Sequence, residues 1–172
     1  MIRDLVDKGL IHGLGISLKE STDEFVSLVK TYPNAVIHVI NGILKPSDVE
    51  MMADNNIKML ILGYKHLRRG VDWYDIDHEN IVVRQMWLYE NLEELLHHFA
   101  VVSFDNLAIE QLDVKRLMSE EDWNEFYMGD DGNYTFYLDL VEGNFGKNSL
   151  ATDRYSIMDN IDDMFRKIVS EN

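Results

Sequence analysis

Short apolar runs rich in β-branched residues alternate with helix-start signals at a nearly constant interval, and this alternation restricts the chain to an α/β fold. The first run is Leu10-Ile11-His12-Gly13-Leu14-Gly15-Ile16-Ser17. The next two occupy residues 36–40 and 59–62. Their starts lie about 25 residues apart, the interval of βαβ units, whose crossovers are right-handed. Ser21-Thr22-Asp23-Glu24 and Ser47-Asp48-Val49-Glu50 have capping-box spacing and predict helices between the strands, the first ending near Lys30. Pro33 and Pro46 fall at element boundaries. Leu88, Leu92, Leu95, Leu96 and Phe99 share one face of a longer helix, and residues 101–104 read as a fourth strand.

After Asn106 the pattern changes. Ser119-Glu120-Glu121-Asp122 predicts another helix start, with Trp123 and Phe126 facing inward. Gly129-Asp130-Asp131-Gly132 is a turn signal, and residues 133–141 alternate like a strand buried on one face. Ile157, Ile161, Met164, Phe165 and Ile168 predict a final amphipathic helix. The reading is a single domain over 1–172, with βα units over 1–106 and an acidic α+β extension over 107–172.

Composition narrows the function classes. At 172 residues and 46% hydrophobic content the chain can build a real core, since a domain of this size buries roughly 70% of its surface. The absence of cysteine excludes disulfides and thiolate metal sites. No apolar run approaches the ~20 residues that cross a bilayer, and the first residues lack a signal-peptide pattern. A cytoplasmic chain without membrane contact is expected. Residues 1–70 hold nine Lys/Arg and eight Asp/Glu, a net of +1. Residues 71–172 hold seven basic and 23 acidic residues, so −16 of the overall −15 lies there. A field of that sign repels nucleic acid and attracts basic protein surfaces.

The segments Val36-Ile37-His38-Val39-Ile40-Asn41-Gly42-Ile43, Leu60-Ile61-Leu62-Gly63-Tyr64-Lys65, Arg69-Gly70 and Val102-Ser103-Phe104-Asp105-Asn106-Leu107-Ala108-Ile109 resemble the C-terminal half of radical S-adenosylmethionine (SAM)-like proteins of bacteria and their phages. The resemblance extends over nearly the whole chain, including the string from Phe126 to Gly132. It implies a partial, half TIM-like barrel of parallel βα units. It also implies ligand-binding positions at the carboxyl ends of the strands: Ser17, Asn41, Gly42, Gly63, Tyr64, Lys65 and Arg69. Ser17 would hydrogen-bond a ribose or carboxylate, Gly42 would let backbone approach a ligand, and Lys65 and Arg69 would hold a carboxylate. The family's iron–sulfur cluster needs cysteines, and this chain has none. No cofactor is therefore expected on the chain alone; SAM is expected only where a partner supplies the cluster.

Other constellations carry less. His12 and His38 lie inside predicted strands and read as core or barrel-interior residues, while His97-His98 read as a helix end. Asp130, Asp131, Asn133 and Asp139 have the composition of a calcium loop but lack its alternating ligands and bidentate Glu. Lys65, Arg68 and Arg69 are too few for a nucleic-acid surface. Gly13-Leu14-Gly15 lacks the third glycine of a dinucleotide fingerprint. No serine has a neighbouring His–Asp arrangement.

Three functional expectations follow. First, the fold is reused as an acidic protein-binding module, presenting Glu120, Glu121, Asp122, Glu125, Asp130 and Asp131 to a basic surface such as that of a nucleic-acid-binding protein. A phage-encoded inhibitor of a host nuclease or defence system, anti-CRISPR-like and acting in the host cytoplasm, fits the size and charge. Second, the chain is one half of a split radical SAM enzyme. Third, it is a stable fragment without its own activity. A half-barrel has an open edge, which the tail, a second copy in a homodimer, or a separate N-terminal half would cover.

Overall fold

The computed structural model describes residues 2–170. They divide into two compact units, on either side of the Leu117–Met118 junction. The first unit runs α1 (Ile2–Asp7), β1 (Leu14–Ser17), α2 (Asp23–Lys30), β2 (Ala35–Ile40), α3 (Pro46–Met52), β3 (Lys58–Leu62), α4 (Arg69–Leu96), β4 (Val101–Phe104) and α5 (Asn106–Leu112), then a 3-10 turn over Val114–Leu117. Its four strands are all parallel and lie in chain order, β1-β2-β3-β4. Residues 107–117, read from sequence as part of the acidic tail, pack with this sheet, α5 lying against β3 and β4.

Strand order in this unit decides which face is covered. Each right-handed crossover between sequential strands steps the same way, so the crossover helices α2, α3 and α4 fall on one side. Burial agrees. Ile37, Val39, Met59 and Ile61 are buried in paired register on one face. On the other face Val36, His38, Leu60 and Leu62 are only half-buried, and Ile40 and Val101 are exposed. Parallel sheets are normally covered on both faces, so this sheet has one unusually open side. There His38 folds back over β1: a side chain at Gly15 would start 2.5 Å from the His38 ring.

The local signals moved in instructive ways. β1 begins at Leu14 rather than Leu10. The cap of α2 is Thr22, which accepts from the Phe25 N–H at 3.1 Å; Ser21 instead donates to Asp48 Oδ1 at 2.6 Å, tying the entry of α2 to α3. In α3 the rigid Pro46 takes the first helical position, so the cap falls at Lys45 and Asp48 turns back to accept from the Lys45 N–H. The long helix starts 19 residues before Leu88, at Arg69, and its two segments meet at a kink where Asp77 has φ −135° and ψ 26°. Asp77 there pairs with Arg84 and accepts from Asn80.

The second unit holds α6 (Glu120–Phe126), β5 (Tyr137–Asp139), β6 (Asn144–Gly146), β7 (Tyr155–Ser156) and α7 (Ile161–Val169). Its three strands form a small antiparallel sheet in the order β5-β6-β7. Phe145, Met164 and Ile168 make a separate core, joined by Phe136, Leu138 and Tyr155. The strand expected over 133–141 shortens to three residues, because residues 129–135 are spent in turns with positive φ at Gly129 and Gly132. Phe126, expected inward, is 62% exposed, and α6 buries no residue.

Candidate functional site

The carboxyl edge of the parallel sheet is where such sheets bind ligands, and it draws together Asn41, Gly63 and Tyr64. Two residues from α5 and its cap do the joining. Gln111 Oε1 accepts from the Tyr64 N–H at 2.9 Å and from Asn41 Nδ2 at 3.0 Å, while Gln111 Nε2 donates to the Tyr64 carbonyl at 2.9 Å. The Tyr64 main chain fixes which end of the Gln111 amide is oxygen, and that in turn fixes Asn41. Asn41 is 1% exposed, and its Oδ1 has no hydrogen-bond partner among the described residues. Asp105 caps α5: its Oδ1 accepts from Ala108 N–H at 2.8 Å and from the Gly63 N–H of the neighbouring strand end at 2.9 Å.

Two glycines make this edge tight. A Cβ on Gly63 would lie 2.4 Å from Leu107 Cγ. Gly42 turns with φ +90°, and a Cβ there would meet Ile81 Cγ2 at 2.8 Å. Close backbone approach is thus used against the chain's own helices. Beyond the edge, the Tyr64 hydroxyl donates to the Gly70 carbonyl at 2.7 Å. Its ring begins an aromatic chain through His66 (5.3 Å), Tyr74 (4.5 Å further) and His78 (5.9 Å further). Burial, then the nearby Tyr74 and Asp75, pushes the Tyr64 phenol above its ordinary pKa.

Of the other expected ligand positions, Ser17 is exposed at the end of β1, in register with His38. Lys65 and Arg69 are both exposed, in the loop after β3 and at the start of α4. Neither Gln111 nor Asp105 was singled out from sequence as a site residue. Asp105 had a local signal, an acidic residue between a strand and a helix. Gln111 had none, because its partner Tyr64 is 47 residues away.

The acidic positions lie in the second unit. Ser119 caps α6, accepting from the Asp122 N–H at 3.0 Å and donating to Asp122 Oδ2 at 2.6 Å. Glu120, Glu121, Asp122 and Glu125 are exposed. Asp130 accepts from the Tyr127 hydroxyl at 2.6 Å, and Asp131 from Asn148 Nδ2 at 2.7 Å. The Asp130 hydrogen bond, with burial, pushes the Tyr127 phenol up to about 12. The Asn133 N–H donates to the Asp130 carbonyl, so the Asp-Asp-Gly segment is a turn. Among the described residues no group of three or more His, Cys, Asp or Glu could hold a metal ion, and no helix is long and apolar enough to cross a membrane.

One cleft, of about 240 Å³, opens at the opposite edge of the sheet, between α1 and the starts of β1 and β2. Its walls include Val6, Ile11, His12, Tyr32, Pro33 and Asn34.

These features define an α/β protein with a one-sided parallel sheet whose carboxyl edge is closed by its own amides. Comparison with known protein families, curated proteins and solved structures finds no match, and nothing in it identifies a radical SAM-like relationship.

Proposed function

We propose that the chain is an acidic protein-binding module that docks on the basic surface of a nucleic-acid-binding partner, occupying the groove that nucleic acid would fill. One observation carries the reading. The unit 118–172 contains thirteen Asp/Glu against four Lys/Arg, a net of −9 in 55 residues, and the first turn of α6 sets Glu120, Glu121 and Asp122 together in solvent. Such a field steers and holds a basic surface and weakens with salt.

Hydrogen bonding at the carboxyl edge favours this module over half of a split enzyme. The Gly63 N–H and both main-chain groups of Tyr64 are engaged within the chain, so these three groups, at two of the positions expected to meet SAM, are already committed. In the same proposal the parallel sheet is an open segment of a TIM-like barrel, whose inner wall carries Ser17, His38, Leu60 and Ser103 in one register row. Sequential strand order and one-sided burial support this.

The test is capture of the tagged full chain from a lysate of its natural host, in parallel with Glu120→Gln/Glu121→Gln/Asp122→Asn/Glu125→Gln. The expected result is a nucleic-acid-binding protein retained by the parent chain, displaced by added duplex DNA and lost from the variant. Equal retention by both chains would sink the proposal.

A further inference from the structure

An amphipathic helix on a globular protein shows apolar residues to the core and polar ones to solvent. α4 breaks this rule. Its second segment buries Ile81, Leu88, Leu92 and Leu95 along one stripe. Val83 and Met86 lie roughly 150° around the helix from the centre of that stripe, and they are 63% and 58% exposed. Along the axis they belong to the row Glu79, Val83, Met86, Glu90, Glu93, spaced i, i+4, i+7, i+11, i+14. These positions have the spacing of a helix–helix seam, apolar at its middle, Val83 and Met86, and acidic at its two ends. All three glutamates of the row are exposed. The row spans about 21 Å at 1.5 Å per residue. On the first segment Trp73 and Ile76 are also exposed.

From this row we infer that the outer face of α4 docks an amphipathic helix of a partner protein, with an apolar seam flanked by Lys or Arg. Charge selects that occupant over two others. A second copy would set Glu79, Glu90 and Glu93 against the same carboxylates, and like charges across a seam oppose pairing. An anionic lipid surface attracts basic segments and would be repelled by this row. The face belongs to the first unit and α6 to the second, so the inference shares with the function proposed above only the basic character of the partner.

The probe is a labelled helical peptide of about four turns, with leucines at its central seam positions, to meet Val83 and Met86, and lysines at the outer ones, to meet the glutamates; it is titrated with the full chain and followed by fluorescence anisotropy. A peptide of the same leucines flanked by glutamate is the control. Val83→Ser/Met86→Ser leaves the charge unchanged and alters only exposed side chains; circular dichroism verifies that the variant folds. The expected results are binding of the lysine peptide at least about tenfold tighter than the control, and a further loss of at least about tenfold in the variant, each step being about 1.4 kcal/mol.

Equal binding by parent and Val83→Ser/Met86→Ser would overturn the assignment, since charge alone would then explain the attraction. A parent chain that sediments as a dimer while the variant sediments as a monomer would give the face to a second copy and also overturn it. The α6 glutamine and asparagine variant is titrated alongside. Peptide binding lost there but kept in the α4 variant would refute this inference while leaving the acidic-module reading intact.

Discussion

Replacing Gln111 with leucine should destabilise the first unit by about 2–4 kcal/mol, although the residue lies at the surface. The substitution removes three hydrogen bonds, to Asn41 Nδ2 and to both main-chain groups of Tyr64. Each has a net worth of about 1 kcal/mol. Water can reach the Tyr64 groups where the Gln111 amide stood, and this lowers their share. It cannot reach Asn41, which is 1% exposed and already carries an unpartnered Oδ1. The stranded Nδ2 alone costs about 1–3 kcal/mol.

Urea denaturation of the full chain, followed by far-ultraviolet circular dichroism, should show the midpoint falling by about 1–2 M at unchanged slope. The second arm is Asn41→Leu. In the Gln111→Leu background it replaces a stranded buried amide with an apolar group of similar size, and should recover about 1 kcal/mol. In the parent background it removes only the bond from Asn41 to Gln111, which keeps both of its Tyr64 bonds, and should recover nothing. A Gln111→Leu midpoint indistinguishable from the parent, or an equal effect of Asn41→Leu in both backgrounds, would refute the network as the element closing this edge.

Three further outcomes follow from the same geometry. Gly63→Ala should cost about 1–3 kcal/mol, the range for overpacking, because the new Cβ meets Leu107 Cγ at 2.4 Å; thermal melting reads it. Asp105→Ala removes a helix cap and the bond to Gly63 N–H together, and a loss near or above the usual cap value of about 1 kcal/mol is expected in urea; a loss well below that would mean the Gly63 bond contributes nothing. The Tyr127 phenol should ionise near its raised value of about 12 in an ultraviolet pH titration. Because the folded state holds the neutral phenol, its stabilising contribution is complete below the unfolded value of about 10 and disappears as pH climbs through about 12. Asp130→Asn, which removes the acceptor carboxylate, should bring that ionisation down towards the ordinary range.

Much of the fold was legible because its signals are local. Residues 101–104 form the strand expected there, Ser119 caps α6, and His97 ends α4, each decided by neighbours within a turn. Errors arose where a residue had two possible employers. Ser21 and Asp48 both fit a capping box, yet they bond to each other across 27 residues, and the caps shifted by one or two positions. Phe126 followed a helical spacing that pointed inward, but α6 is too short to turn that face against a core. β6 and β7 are three and two residues long, below what alternation can signal.

The sequence by itself determined the α/β class, the succession of parallel-strand units and the concentration of negative charge towards the C-terminus, since periodicity, caps and charge are properties of short windows or simple sums. It also determined that no thiolate could hold a cluster. Only the tertiary structure decided that residues 107–117 join the sheet, that one sheet face stays open, and that the carboxyl edge is sealed by Gln111 and Asp105. Those outcomes depend on pairings across 42 to 70 residues, where hydrogen-bond partners and steric limits are fixed by how the chain returns on itself and not by any local pattern.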